Sequence, residues 1–192
     1  MTLGSPRVHL RRTDSTNERA RQLAARGAPH GTLVTASEQT AGRGRQGRTW
    51  SAPAGRALLC SLLLRDPPRL LPMAAGVAVA EVAGARAMIK WPNDILIDGR
   101  KVAGILVEGR PQEHWAVIGV GLNVALRPED FPPELREQAA TLGLDEGAPI
   151  LFIERVIHTR AGEPLEYEEL YYRGDAFQFK VRVERQAVGA LR

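Results

Sequence analysis

Apolar and polar residues along this chain follow two different periods, and the switches between them divide it into short elements. Residues 8–12 (VHLRR) read as a short strand. The period then changes: Ser15 and Glu18 have capping-box spacing, Ala20, Leu23 and Ala24 share one helical face, and Gly27 stops the helix. Hydroxyls and open N–H groups at such a helix start can cap it, hold a carboxylate or phosphate, or do both. Residues 32–36 predict a β-branched strand, and residues 56–64 a buried one closed by Asp66-Pro67-Pro68. Residues 70–88 predict a long small-residue helix beginning near Pro72, with Gly76 and Gly84 allowing close packing. A strand over residues 88–91 follows.

Asp98-Gly99 stands between two apolar alternating runs, which is a hairpin signal. Residues 95–97 should therefore pair with residues 102–107, leaving Lys101 just past the turn. Residues 114–126 (HWAVIGVGLNVAL) predict a strand in which Gly119 and Gly121 mark close backbone approach. Asn123 is a polar group inside that apolar run, suited to a ligand or to core backbone groups. Residues 132–142 predict a short helix. Beyond it, residues 150–159 and 165–172 predict an antiparallel hairpin turning through residues 160–164, and residues 177–183 alternate as a third strand.

The loop between the strands at 32–36 and 56–64 carries the most distinctive chemistry. In SEQTAGRGRQGRTW, Gly42, Gly44 and Gly47 alternate with Arg43, Arg45 and Arg48. Glycines free the backbone to bend and expose N–H groups, while guanidinium forks match the geometry of phosphates and carboxylates. The glycines also fit the G-x-G-x-x-G spacing, but that fingerprint needs a helix opening at the glycines, and RTWSAPAG follows instead. No Lys-Ser/Thr pair completes a P-loop. A polyanion-binding loop and a merely solvated arginine-rich loop remain.

Composition narrows the partners. Hydrophobic residues at 44% and charged residues at 25% of 192 residues describe a globular chain able to bury a core in one domain, or one domain plus an appendage. No apolar run approaches the roughly 20 residues of a membrane span, and the start MTLGSPRVHLRR lacks an apolar signal core, so a cytoplasmic chain with no membrane partner is expected. Cys60, alone of its kind and set in ALLCSLLL, reads as a core thiol. The net charge of +4 permits nucleic-acid binding without demanding it. Of 26 basic residues only Lys90, Lys101 and Lys180 are lysines, so a compact ammonium is used sparingly.

Five segments in order carry a resemblance: DSTN from Asp14, EQTAGRGRQGRTW from Glu38, KWPND from Lys90, KVAGILVE from Lys101 and GVGLNV from Gly119. Together they resemble the successive motifs of biotin protein ligases. The resemblance implies a mixed β-sheet flanked by helices, an α/β (α+β) fold related to class II synthetases. It also implies ATP-dependent activation of biotin to biotinyl-5'-AMP, with Mg2+ carried mainly by ATP rather than by a protein metal site, and transfer to a lysine of a biotin carboxyl carrier domain. By the same resemblance Lys101, Arg43, Arg45 and Arg48 are catalytic. Ser15, Thr16, Asn17, Gln39, Gly42, Arg43, Gly44, Lys101, Gly104 and Gly119 bind biotin, and Arg45, Arg48, Trp50, Lys90, Asn93 and Asn123 bind ATP. Nucleic acid is not an expected partner, and a homodimer is left open. About a dozen residues precede Asp14, too few for the DNA-binding domain that some family members carry.

The composition changes near residue 147. Six of the ten aromatics (Phe152, Tyr167, Tyr171, Tyr172, Phe177 and Phe179) fall in the last 45 residues, where seven positive charges balance seven negative ones. GAPILFIERV, GEPLEYE and YYRGD in this stretch resemble the end of the effector-binding UTRA domain of GntR-type regulators. A ligase catalytic domain over residues 1–146, C-terminally incomplete, is therefore expected, followed by a UTRA-like β-rich tail over 147–192 that is not an independent domain. Two other functions stay open: a binder of biotin or its adenylate without transfer, and a ligand-sensing fragment of a regulator.

Overall fold

The structure is a computed structural model that describes residues 3–144, 150–158 and 164–173. The chain divides into two compact units, Met1–Glu146 and Gly147–Arg192. In the first, β1 (Arg7–Leu10), β2 (Leu33–Ala36), β3 (Ala57–Arg65), β4 (Ala87–Lys90), β5 (Asp94–Ile97), β6 (Arg100–Arg110) and β7 (Trp115–Asn123) form one sheet ordered β1-β2-β3-β7-β6-β5-β4. Only β1 and β2 run parallel, so the sheet is mixed. A parallel pair needs a crossover, which helix α1 (Thr16–Ala25) supplies. Helix α2 (Leu71–Ala83) follows β3.

The two helices cover opposite faces. Ala20 and Ala24 of α1 pack with Val34, Leu63 and Val117. Leu71 and Ala75 of α2 pack with Ile95, Ile97, Ile105, Ile118 and Leu122. Neighbouring residues of a strand point to opposite faces, so β3 sends Leu63 toward α1 and Leu64 toward α2. That is why its sequence is apolar at nearly every position, Ser61 excepted, up to Arg65 rather than alternating.

The hairpin expected at Asp98-Gly99 is present, and both residues have positive φ (50° and 77°), as a two-residue hairpin turn requires. Four local expectations are corrected. The helix expected over 70–88 ends at Ala83, because Gly84 turns the chain with φ of 103° and its carbonyl accepts the Ala87 N–H at 2.8 Å. Gly76 is not a tight approach either, since a Cβ there would meet Ile89 only at 3.9 Å. The helix expected over 132–142 is a single 3-10 turn, Pro133–Leu135, followed by a strap of chain. Its backbone groups are taken by the sheet instead: Lys101 N–H donates to Gln138 O at 2.7 Å, Ala140 N–H to Lys101 O at 2.7 Å, and Leu142 N–H to Asn123 O at 3.0 Å. Finally, Ser15 is the N-cap of α1 but makes no side-chain capping bond. The donors of that first turn are served by Asp14 Oδ1, which accepts from Ser15 N–H at 2.8 Å, and by Gln39 Oε1, which accepts from Thr16 N–H at 2.7 Å.

In the second unit β8 (Ile150–His158) and β9 (Pro164–Arg173) pair antiparallel, from Ile150 opposite Arg173 to His158 opposite Pro164. This is the expected hairpin. The strand expected over 177–183 lies outside the described residues.

Candidate functional site

A cleft of about 850 Å³ opens on the α1 side of the sheet. Its floor exists because β6 and β7 lack side chains there. Gly104 and Gly121 are cross-strand partners, and the Trp50 indole lies against both. A Cβ on Gly104 would stand 3.0 Å from Trp50 Cζ3, and one on Gly121 would stand 2.7 Å from Trp50 Nε1. Gly119 makes the same concession to Asn17, whose Cγ would be 2.7 Å from an added Cβ. Trp50 Nε1 is buried and has no hydrogen-bond partner among the described residues.

Beside this floor a chain of buried polar side chains begins at the start of α1. Thr16 Oγ1 donates to Gln39 Oε1 at 3.0 Å. Ser61 Oγ, fully buried on β3, lies 2.8 Å from Thr16 Oγ1 and 2.6 Å from Asn17 Oδ1, so one hydroxyl proton serves both. Asn17 Nδ2 donates to Glu108 Oε2 at 2.8 Å and to Leu106 O at 3.2 Å. These two acceptors set the amide's orientation and leave Oδ1 for Ser61.

Lys101 reaches the cleft through a β-bulge. Ala103 pairs with Ile95 but Lys101 pairs with Leu96, so Val102 is the extra residue of β6. Val102 and Ala103 are consequently both in the α2-side core, while Lys101 and Gly104 both turn toward the cleft. Without the extra residue, alternation would send Lys101 to the same side as Ala103 and Ile105. The strap at Gln138–Ala140 takes up the Lys101 N–H and C=O, pairing Lys101 with Ala139 in a parallel bridge. Lys101 Nζ lies 2.6 Å from Asp94 Oδ1 and 5.7 Å from the Trp50 ring centroid.

The arginine-glycine loop is a miniature hairpin. Gly44 N–H donates to Arg48 O at 2.7 Å and Trp50 N–H to Gly42 O at 2.9 Å, with Arg43 bridged to Thr49. Gln46 and Gly47 turn its tip with φ of 57° and 74°. Arg43 Nη2 is 2.9 Å from Glu18 Oε2 and 3.7 Å from Glu108 Oε2. Nearer the tip, Arg45 Nη1 donates to Asn93 Oδ1 at 3.3 Å, and Asn93 Nδ2 donates to Asp94 Oδ1 at 3.1 Å. The loop tip is thus joined to Lys101 through Asn93 and Asp94.

Of the residues singled out from sequence, Ser15, Thr16, Asn17, Gln39, Arg43, Gly44, Arg45, Arg48, Trp50, Lys90, Asn93, Lys101, Gly104, Gly119 and Asn123 all line this cleft. Gly42 does not line it; a Cβ there would stand 2.9 Å from Gln39 Nε2, so it is the bare spot that lets Gln39 close in. Asn123 commits its amide nitrogen to Ala140 O at 2.9 Å. Sequence reasoning overlooked Ser61, Glu18, Asp94 and Glu108 as site residues. A lone hydroxyl inside ALLCSLLL and an acid closing KVAGILVE were the available signals. Cys60 borders the cleft, and desolvation pushes its thiol up to about 11. Asp14 is held below the ordinary carboxylate range by the Ser15 N–H, then by the Thr13 hydroxyl.

Residues 9–124 match the biotin/lipoate A/B protein ligase family, and residues 135–178 match the UTRA domain. That second match starts at Leu135, the end of the 3-10 turn, and so takes in the strap, whose bonds to Lys101 and Asn123 join residues 138–142 to the sheet. The chain is 45% identical over 148 residues to the bifunctional ligase/repressor BirA of Bacillus subtilis, covering 71% of this chain and 46% of that protein. It is 42% identical over 136 residues to the biotin–[acetyl-CoA-carboxylase] ligase of Mycobacterium tuberculosis, covering 64% of this chain and 50% of that one. The chain therefore spans about half the length of the curated relatives it matches. Among solved structures, the biotin protein ligase of Aquifex aeolicus in complex with biotin and ATP superposes with a TM-score of 0.59 at 32% identity, over 72% of this chain and 60% of that one. The Leishmania major biotin protein ligase in complex with biotinyl-5-AMP gives 0.61 at 28%, over 72% and 63%. The mixed sheet with its two helices is thus the class II synthetase-like α/β fold of these ligases. The family match over residues 9–124, the identity to these ligases and the shared fold lead to one conclusion: this chain belongs to the biotin/lipoate A/B protein ligase family.

Proposed function

We propose that this cleft activates biotin with ATP and passes the biotinyl group from biotinyl-5'-AMP to a lysine of a biotin carboxyl carrier domain. The observation that carries this reading is Lys101, turned by its bulge into a cleft that it shares with a buried polar cluster and an arginine loop. In the first step a biotin carboxylate oxygen attacks the α-phosphorus and pyrophosphate leaves. Two anions must approach, and the Lys101 ammonium offsets their repulsion and the charge growing on the phosphoryl oxygens. Ser15, Thr16, Asn17 and Gln39 offer donors and acceptors for the ureido ring, and Gly119 and Gly104 let Asn17 and Trp50 close in beside it. Arg45 and Arg48, with Arg43 at the loop base, supply charge for carboxylate and phosphates. Trp50, Lys90, Asn93 and Asn123 form the nucleotide side. Among the described residues the Trp50 N–H is a buried donor without a hydrogen-bond partner, which suits it to a ligand atom on that side.

Magnesium fits this site as an ion carried on nucleotide phosphates. Among the described residues no three His, Cys, Asp or Glu side chains gather to hold a metal, whereas Mg2+ commonly keeps one or two protein oxygens plus phosphates. Asp94 and Asn123 are oxygen-bearing side chains on the cleft wall that would hold it. When bound, it supplies charge that offsets the phosphates. In the second step the carrier lysine attacks the mixed anhydride and AMP leaves. The arginine hairpin, lying along the cleft, limits water access to that anhydride.

Residues 1–146 constitute the catalytic unit in this reading, and the tail from 147 is an appendage rather than an independent domain. The UTRA-like match over 135–178 favours a second reading, binding of biotin or its adenylate without transfer. One experiment separates them: the purified chain is incubated with biotin, MgATP and an apo carrier domain, and both proteins are weighed by mass spectrometry. A biotin-sized gain on the carrier that Lys101→Ala abolishes is expected. Binding of biotin without any gain would leave the second reading standing.

A further inference from the structure

We propose that Glu108 is a positioning residue that ties the buried polar cluster beside the cleft floor to the arginine loop, so that one carboxylate sets both. The role it is given rests on the ligase reading of the cleft. Glu108 lies at the far end of the β6 motif, away from Lys101, and its two oxygens serve different partners. Oε2 accepts from Asn17 Nδ2 at 2.8 Å and stands 3.7 Å from Arg43 Nη2, while Oε1 stands 3.4 Å from Arg21 Nη1. Glu18 Oε2 completes the group, 2.9 Å from Arg43 and 3.5 Å from Arg21. Two acids and two arginines balance in charge.

The arrangement runs in two directions. Through Asn17, Glu108 fixes the amide whose Oδ1 meets the Ser61 hydroxyl, and Ser61 meets Thr16; this sequence of bonds is the polar cluster beside the cleft floor. Through Arg43, it holds the base of the arginine hairpin, on the strand segment bridged to Thr49. The Glu108 side chain is 24% exposed and that of Arg43 37%, so the attraction is only partly screened. A carboxamide in place of the carboxylate keeps an oxygen for Asn17 but gives up the charge that Arg43 uses. A methyl group gives up both. Glu108→Gln and Glu108→Ala therefore separate the two connections, which a residue that merely completes the fold would not do.

The test compares the full chain with these two variants in three measurements: tryptic cleavage within the loop after Arg43, Arg45 and Arg48, biotin affinity by calorimetry, and partition of the adenylate between carrier and water. Glu108→Gln is expected to speed loop cleavage about three- to fivefold and to raise loss of adenylate to water by a similar factor, the range of a partly exposed ion pair. Its biotin affinity should stay within about twofold of the parent, because the hydrogen bond to Asn17 persists. Glu108→Ala should show the same loop effect and lose about tenfold in biotin affinity. High salt should bring the parent's cleavage rate up toward that of Glu108→Gln. A folded Glu108→Gln whose loop is cut at the parent rate overturns the proposal, as does a folded Glu108→Ala with parental biotin affinity. If the parent itself binds no biotin, the ligase reading fails, and the Glu108→Gln cleavage rate alone then upholds or overturns the tie to the loop.

Discussion

Lys101 Nζ and Asp94 Oδ1 stand 2.6 Å apart across the β5–β6 hairpin, and the same Asp94 oxygen accepts the amide of Asn93. The ammonium is therefore held in place while its other donors face the cleft. Lys101→Ala should reduce adenylate formation by about 10²–10³-fold, the loss seen when one donor to developing charge is removed. Lys101→Arg should not restore it, since a planar fork cannot take the place of a compact ammonium beside Asp94. Pyrophosphate release in a single turnover measures both; a parental rate in Lys101→Ala would remove Lys101 from the chemistry, and one in Lys101→Arg would show that any cation there suffices.

Gly119→Ala places a methyl group on the Asn17 amide, in a buried cluster with no slack. Overpacking of this kind costs about 1–3 kcal/mol. Denaturant titration should show that loss, and calorimetry should show weakened biotin binding. Gly121→Ala presses on the Trp50 ring instead, so the change in intrinsic fluorescence should be larger there than for Gly119→Ala. Equal emission from the two variants would contradict the assignment of Trp50 to the Gly121 floor.

The C-terminal end of α1 is closed by a side chain from β3. Arg65 donates from Nη2 to Ala24 O at 2.8 Å and Ala28 O at 2.7 Å, and from Nε to Ala28 O at 3.2 Å. Bonds from a charged donor are worth more than neutral ones, so Arg65→Ala should lower unfolding free energy by about 1.5–3 kcal/mol. Because α1 carries Thr16 and Asn17 at its other end, amide hydrogen exchange should rise first in its last turn. Unchanged exchange there would show that the cap is dispensable.

Cys60 and Asp14 give pH dependence at opposite ends of the scale. The Cys60 thiol is raised from 9.0 to about 11 by desolvation, so between those values the unfolded chain loses a proton that the folded chain keeps. Its contribution to stability is constant below pH 9.0 and falls as pH rises toward about 11. Alkylation of the folded chain at pH 8 should be slowed by up to about a hundredfold relative to the unfolded chain, from thiolate fraction alone. Asp14 runs the other way: its folded value is lowered, so its contribution is present above 3.8 and lost as pH falls through the folded value. Asp14→Asn should flatten the acid side of the stability profile, and Cys60→Ser the alkaline side.

Much of the architecture is legible in local patterns. The Asp98-Gly99 turn is legible because a two-residue hairpin needs positive φ, and few residue pairs accept it. The helix at Thr16–Ala25 follows from the spacing of Ala20, Leu23 and Ala24. What fails locally does so where tertiary partners take the backbone groups. Residues 138–142 have a helix-like composition, yet their N–H and C=O groups bond to Lys101 and Asn123. Ser15 has the spacing of a capping box, yet Asp14 and Gln39 serve the donors first.

The sequence by itself determined the family motifs, the hairpin around Asp98-Gly99, the alternation of glycine and arginine in the loop, and the glycines that floor the cleft. These depend on residue type and spacing, which steric and hydrogen-bonding rules read directly. Only the tertiary structure decided which way Lys101 points. Counting by twos along β6 sends it into the core with Ala103 and Ile105, and the extra residue Val102 reverses it. A bulge is settled by what the neighbouring strand and the strap can hydrogen-bond, a balance among residues far apart in the chain. The link from Glu108 through Asn17 to Ser61 is of the same kind. It joins positions 91 and 44 residues apart, and their proximity is a property of the folded sheet alone.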